Sequence, residues 1–435
     1  MTGNRSRTYP RPALILLMIG LIAAALGVIA ILPDGESTGA TGTPDPMIAR
    51  IAQLHQEVAR VPGNAAGWAA LGGAYVEFAR ITGDPANYGL AQEALDRSLA
   101  LRPDENAEAQ IGLGALANAR HDFATARRHA EQAVALRPAG ADGYGVLVDA
   151  LTQLGDTDGA TAAVQRMLDL RPGVSAFTRA AYDLELHGRV EDARNALEMG
   201  LVAATTADQI AFCRYHLGEL AFDSGDLGEA ETQYRAGLLA GPDNPALRQG
   251  EAKVSAARGA TDQAIAQFTT LVARSSLPEY LIEFGELLES AGRTEEAAAQ
   301  YRVIADQFRG LEAQGATEYV DAARLAADHG DPNEAVRLAQ LEFGRRQSVI
   351  TTDVLAWSLH RAGRDDEALG YADRAAALGW RNATLAYHRG TILAGLGRTD
   401  EAAAALSESL RINPHFSPLH APRARQALEA LGGAR

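Results

Sequence analysis

Cysteine is nearly absent: Cys213 is the only one in 435 residues. No internal disulfide can form, and zinc sites built on several thiolates are excluded. Lysine is equally scarce. Lys253 stands alone and arginine supplies the remaining positive charge, a bias that reads as GC-rich bacterial coding. Aromatic residues make up 6%, so any core has to be assembled from small residues and leucine. Positive charge is in deficit overall: a formal net charge of −15 argues against a nucleic-acid partner, which needs a basic face. No stretch alternates polar and apolar residues in the manner of a strand. Catalytic signatures are missing too, with no G-x-S-x-G, no H-E-x-x-H, no phosphate loop and no G-x-G-x-x-G between a strand and a helix. The carboxylates fall at helical spacing, as solvated helix faces do. The chain reads as a non-enzyme without a cofactor.

What is present begins with an apolar run. After a stub of residues 1–12 carrying Arg5, Arg7 and Arg11, residues 13–32, "ALILLMIGLIAAALGVIAIL", contain no charge. At about 1.5 Å per residue this run matches a hydrocarbon core of about 30 Å. Asp34 and Glu36 are the first acids after it. That asymmetry predicts a single-pass cell-membrane protein with a cytoplasmic N-terminus and everything beyond residue 32 extracytoplasmic. A cleaved signal peptide is the rival reading, although the run is longer than the usual signal core and no small-x-small cleavage site follows. Residues 33–46, rich in Gly, Thr, Pro and Asp, read as a flexible linker.

The rest of the chain repeats. "LGELAFDSGDLGEAETQYRAGLLAGP" places Leu217-Gly218, Ala221, Gly225, Ala230, Tyr234 and Pro242 at spacings that recur along the sequence. Trp68, Leu71, Gly72 and Tyr75 open one unit; Phe284-Gly285, Gly292, Ala297 and Tyr301 mark another; Gly390, Gly397, Ala402 and Pro414 mark the last. Extra residues around "ITGDPANYG" and a longer joint, "RGLEAQGA", interrupt the period. The pattern resembles the tetratricopeptide repeat, W-x2-L-G-x2-Y…A-x3-F…P at a period of about 34. The resemblance implies an all-α, right-handed superhelical solenoid of about ten helix-turn-helix repeats over residues 65–416. Residues 47–64 read as an N-terminal capping helix and 417–435 as a C-terminal one. Within a unit, Gly218 is expected to face Ala230, and Gly285 to face Ala297. Gly225 and Gly292 are expected to end first helices with positive φ. Asp226 with Glu229, and Asp331 with Pro332 and Glu334, read as caps opening second helices.

The resemblance also implies a function: first helices line a concave groove that takes a peptide or protein partner. Carried over by register, the groove positions are Tyr182, Glu185, Phe212, Tyr215, Glu219, Phe222 and Asp223 in one cluster. Asp353, Trp357, His360, Arg361, Tyr387 and His388 form a second. Ala66, Ala69, Gly73, Ala115, Gly145 and Asp149 make the early units nearly featureless. Exposed Trp and Tyr are common binding anchors, and Glu185, Glu219 and Asp223 favour a partner with basic residues. The expected protein is a membrane-tethered interaction scaffold or assembly factor. Two other readings stay open. "GNAAGWAALGGAY" after an unpaired helix is similar to the start of the tetratricopeptide domain in cytochrome c maturation subunits, which act as chaperones for exported proteins. His360, His388, His415 and His420 allow a metal-handling or sensing protein. No metal ligand set is assigned. Cys213 with His216 reads as packing, and the "NAT" at Asn382 is discounted as a glycosylation acceptor.

Overall fold

The computed structural model describes residues 46–433 apart from 83, 85 and 314–318. Twenty-two helices follow one another with no strand among the described residues. α1 (Pro46–Arg60) stands alone. Then come α2 (Ala65–Thr82) with α3 (Ala86–Leu101), α4 (Ala107–Ala119) with α5 (Phe123–Leu136), and α6 (Ala141–Leu154) with α7 (Thr157–Leu170). α8 (Val174–Leu186) pairs with α9 (Val190–Ala203), α10 (Ala207–Asp223) with α11 (Leu227–Ala240), and α12 (Pro245–Ala257) with α13 (Thr261–Arg274). α14 (Pro278–Ser290) pairs with α15 (Thr294–Ala313), α16 (Tyr319–His329) with α17 (Pro332–Arg345), and α18 (Val349–Arg361) with α19 (Asp365–Ala376). α20 (Ala383–Gly395) with α21 (Thr399–Ile412) is the tenth pair, and α22 (His420–Gly433) closes the array.

Each pair is a hairpin, and most of the turns hold a left-handed residue, among them Gly225 (φ 80°) and Gly292 (φ 76°), where the missing Cβ avoids a clash. Asp226 then caps α11 by accepting from the Glu229 backbone N–H. The reciprocal half of the expected capping box is absent, because the Glu229 side chain instead accepts from Gln233. What lies nearest to each of Gly218 and Gly285 is a tyrosine ring. A Cβ on Gly218 would fall inside the Tyr234 ring, and one on Gly285 inside the Tyr301 ring. Tyr234 lies equally close to Gly250 of the next unit, so these glycines make room for one fully buried ring shared between neighbouring hairpins. α1 covers the first pair through Leu54 and Val58 against Leu71 and Tyr75. Ala424 of α22 is buried in the same cluster as Leu406, Trp357 and Tyr387.

The single-pass membrane topology is corrected. Among the described residues no helix is long and apolar enough to cross a membrane. Even the longest, α15 at 20 residues, carries Glu295, Glu296, Arg302, Asp306 and Arg309 on its outer surface, because each helix buries only one face against its neighbours. Residues 13–32, on which that expectation rested, lie outside the described residues, as do 1–12 and 33–45.

The array winds far enough for its late loops to meet its early turns. The turn glycines Gly155, Gly188 and Gly225 lie against the Gln347, Gly379 and Ile412 backbones respectively. The Gln347 N–H donates to the Gln153 carbonyl at 3.0 Å. Trp380 donates to Glu185 Oε1 at 3.2 Å, and buried Asn413 donates to the Phe222 carbonyl at 2.8 Å. These contacts enclose the surface formed by the first helices.

Candidate partner-binding groove

A cavity of 520 Å³ opens inside the winding, between α12, α14, α16 and α18 on one side and the 413–419 linker with the start of α22 on the other. Phe222 from the first expected cluster and Trp357 and His388 from the second line it, whereas the other residues of both clusters do not.

In the first cluster, Glu219 is the hub. It accepts from Tyr234 Oη at 2.5 Å and from the Lys253 ammonium at 2.8 and 3.0 Å. That ammonium also lies 4.5 Å above the Phe222 ring. Burial works against the charge on Lys253, but Glu219, Glu283 and Asp223 outweigh it and hold the pKa above its ordinary value. Burial pushes Asp223 up to about 7; Lys253 opposes the shift and Glu219 adds to it. Glu185 is pushed up to about 8 by burial and then by Asp223. Burial also raises the Tyr182 and Tyr215 phenols. Phe212 packs its edge against His216, with ring centres 4.5 Å apart. Phe222 is 5% exposed and belongs to the buried cluster around Tyr234.

The second cluster is more tightly packed. Trp357 stacks on His388 with ring centres 4.1 Å apart and donates its indole N–H to Asp328 at 3.0 Å. His388 Nδ1 lies 2.9 Å from Asp353. Trp357 is 3% exposed, Tyr387 and Asp353 5%, and His388 6%, so these side chains are interior rather than presented on an open wall. His360 is bonded to Asp365 at 2.5 Å. Arg361 sits 5.7 Å from the Trp357 ring and donates to the Ala327 carbonyl at 2.9 Å. Asp149, in the early units, pairs with Arg179 at 2.6 Å.

Sequence reasoning passed over the residues between the clusters. α14 carries Glu279, Glu283 and Glu286 on one face at i, i+4 and i+7, and all three line the cavity with Asp321 and Asp328 of α16. Burial and then Asp321 push Glu279 up to about 8; burial and then Asp328 push Glu286 up to about 7. Burial likewise raises Glu283 and Asp321. Neutral groups hold much of this stripe: Gln249 donates to Glu283 at 2.7 Å and Ser417 to Glu286 at 3.0 Å. The signal was available. Glu279, Glu286, Lys253 and Asp328 occupy the register positions of Phe212, Glu219 and Asp223.

The histidines do not assemble a ligand set. Among the described residues no group of three or more His, Cys, Asp or Glu is placed to hold a metal ion. Cys213 is fully buried, which raises its thiol pKa to about 11, and His216 packs against aromatic rings, with burial lowering its pKa to about 4.

The tetratricopeptide repeat family profile matches residues 116–175, 215–276, 247–312 and 354–415, together just over half of the chain. The chain is similar to a solved tetratricopeptide protein of Thermus thermophilus, at 23% identity over 38% of this chain and 88% of that one, with a TM-score of 0.35. It is also similar to human IFIT1, solved as a dimer with m7Gppp-AAAA, at 16% identity over 76% and 77% of the two chains and a TM-score of 0.49. Pseudomonas aeruginosa pilF gives 15% identity over 48% and 92%, with a TM-score of 0.39. No curated protein matches the chain.

Proposed function

Because the chain belongs to the tetratricopeptide repeat family, we propose that it is a non-catalytic scaffold or assembly factor that holds a peptide segment of a protein partner in the groove of its first helices. Arrays of this kind are protein-interaction scaffolds as a class. Tyr215, Glu219, Asp223 and Glu185 belong to one wall of the groove, and Trp357 with His388 to the other. The observation that supports this reading is the stripe of Glu279, Glu283, Glu286, Asp321 and Asp328 along one cavity. Like charges placed together and withdrawn from water disfavour the folded state, and Lys253 and Arg324 are the principal cations set against them. A partner segment with basic residues provides the balancing charge, whereas a nucleic acid is repelled.

Selection of a displayed random-peptide library on the purified full chain tests this. Peptides rich in Arg and Lys are expected to be enriched, and the double variant Glu279→Gln, Glu283→Gln is expected to lose them while staying folded. A chain that enriches no peptide overturns the reading.

A further inference from the structure

Lys253 demonstrates how this interior treats a cation: carboxylate oxygens at 2.8 and 3.0 Å and an aromatic face at 4.5 Å. Further along the groove the same two ingredients meet again. Glu286 and Asp328 come from neighbouring first helices, and the stacked Trp357 and His388 rings lie beside them. Among the described residues, neither carboxylate has an ion pair with a lysine or arginine; Ser417 and Trp357 are their donors. Arg324 lines the same cavity and acts on Glu286 only at a distance, its guanidinium lying 3.8 Å from Asp321, and the other nearby guanidinium groups point elsewhere. Arg361 donates to the Ala327 carbonyl, Arg425 to the Pro414 carbonyl, and Arg423 to Glu289.

Two buried imidazole nitrogens lining this cavity are left over, His329 Nε2 and His420 Nε2, and the second lies beside Asp328. His420 is 5% exposed and lines the cavity, and its Nε2 has no hydrogen-bond partner; the nearest acid oxygen, Asp328 Oδ1, is 3.8 Å away. A buried nitrogen without a partner carries a desolvation penalty unless something meets it.

Resting on the groove reading above, we propose that the space between Glu286, Asp328 and His420 is a receptor for a guanidinium: an arginine side chain carried by the partner's peptide segment. A guanidinium is planar with five donors, so it bridges two carboxylates and leaves an N–H for His420 Nε2. An ammonium is a point charge without the planar fork that reaches both carboxylates and the imidazole at once. Burial lowers the His420 pKa to about 4, which keeps the ring neutral and one nitrogen able to accept.

Titration calorimetry on the purified full chain tests this with two pentapeptides, Gly-Ser-Arg-Ser-Gly and the same peptide with neutral, isosteric citrulline. The arginyl peptide is expected to bind at least about tenfold more tightly. That preference is expected to vanish in Glu286→Gln and Asp328→Asn and to shrink several-fold in His420→Phe. Ser417→Ala, which removes only a neutral donor to Glu286, is expected to retain it. Thermal melts confirm that each variant is folded. Equal affinity for the two peptides, or an arginine preference unchanged in Glu286→Gln, overturns the receptor, as does an absence of binding by either. In all three cases the groove reading is judged separately, by whether the display selection enriches any peptide.

Discussion

The ammonium of Lys253 sits one repeat period along from Glu219 and bonds both oxygens of its carboxylate, at 2.8 and 3.0 Å. The two residues occupy the same register position on successive first helices, so the repeat itself makes the pair. Removing the cation leaves Glu219, Asp223 and Glu283 facing one another in a partly buried space. Lys253→Met is therefore expected to destabilise the chain by about 2–3 kcal/mol, and adding Glu219→Gln to recover much of the loss. Urea denaturation of the two single variants and the double variant measures this coupling.

Stability is expected to fall as pH rises above neutrality. Glu185 and Glu279 are pushed up to about 8, and Asp223 and Glu286 to about 7, by burial first. A carboxyl with a raised pKa holds its proton more tightly in the folded state. Its contribution is full below the unfolded pKa, at about 4, and is lost as pH climbs through the folded value. His121, held down to about 3, and His216 and His420, held down to about 4, work the other way. Their contribution is full above about pH 6.5 and is lost only as pH falls below that. Between about pH 6.5 and 8.5 the carboxylates set the slope, at up to about 1.4 kcal/mol per pH unit for each proton released. Thermal melts are expected to show a lower Tm at the alkaline end. Glu279→Gln is expected to flatten the dependence and raise the alkaline Tm.

Trp357→Ala is expected to cost about 3–5 kcal/mol. The indole is 3% exposed, stacks on His388 and bonds Asp328, so truncation opens a cavity and leaves a buried acid without its donor. Chemical denaturation checks it. Tyr215→Ala, at a half-buried position on the opposite wall, is the gentler probe of partner capture.

Closure of the winding is testable with two glycines of nearly equal φ. Gly188 (φ 71°) lies against the Gly379 carbonyl, while nothing lies within 4 Å of a Cβ at Gly292 (φ 76°). Gly292→Ala is expected to cost about 1–2 kcal/mol for the left-handed backbone alone. Gly188→Ala is expected to cost more, because the new methyl forces the early turn away from the late loop. Equal costs would show that the contact carries no stability.

Much of the scaffold was legible. Gly225 and Asp226 announce a turn and a cap by local chemistry, and the recurrence of such pairs counts the hairpins. That one Tyr234 ring fills the space beside both Gly218 and Gly250 was not legible, since periodicity names the small positions but not the side chain that spans two units. The contacts of Gly188 with Gly379, and of Glu185 with Trp380, join residues nearly two hundred positions apart. They follow from winding summed over many hairpins, which no local pattern carries. The acidic stripe lay in between: Glu279 and Glu286 on one helix read as an ordinary solvated face, and only the register shared with Glu219 places them inward. Trp357 and Tyr387 were visible as unusual residues at inward positions, but not as side chains sealed between adjacent first helices.

The most direct test of the groove is photo-crosslinking of the enriched peptides to chains carrying p-benzoylphenylalanine at one of two sites. Ile282 lines the cavity beside Glu283 and Glu286, whereas Leu239 on α11 is 88% exposed on the second-helix surface. Crosslinks from Ile282 and none from Leu239 are predicted. Crosslinks from Leu239 with none from Ile282 would contradict a partner held among the first helices.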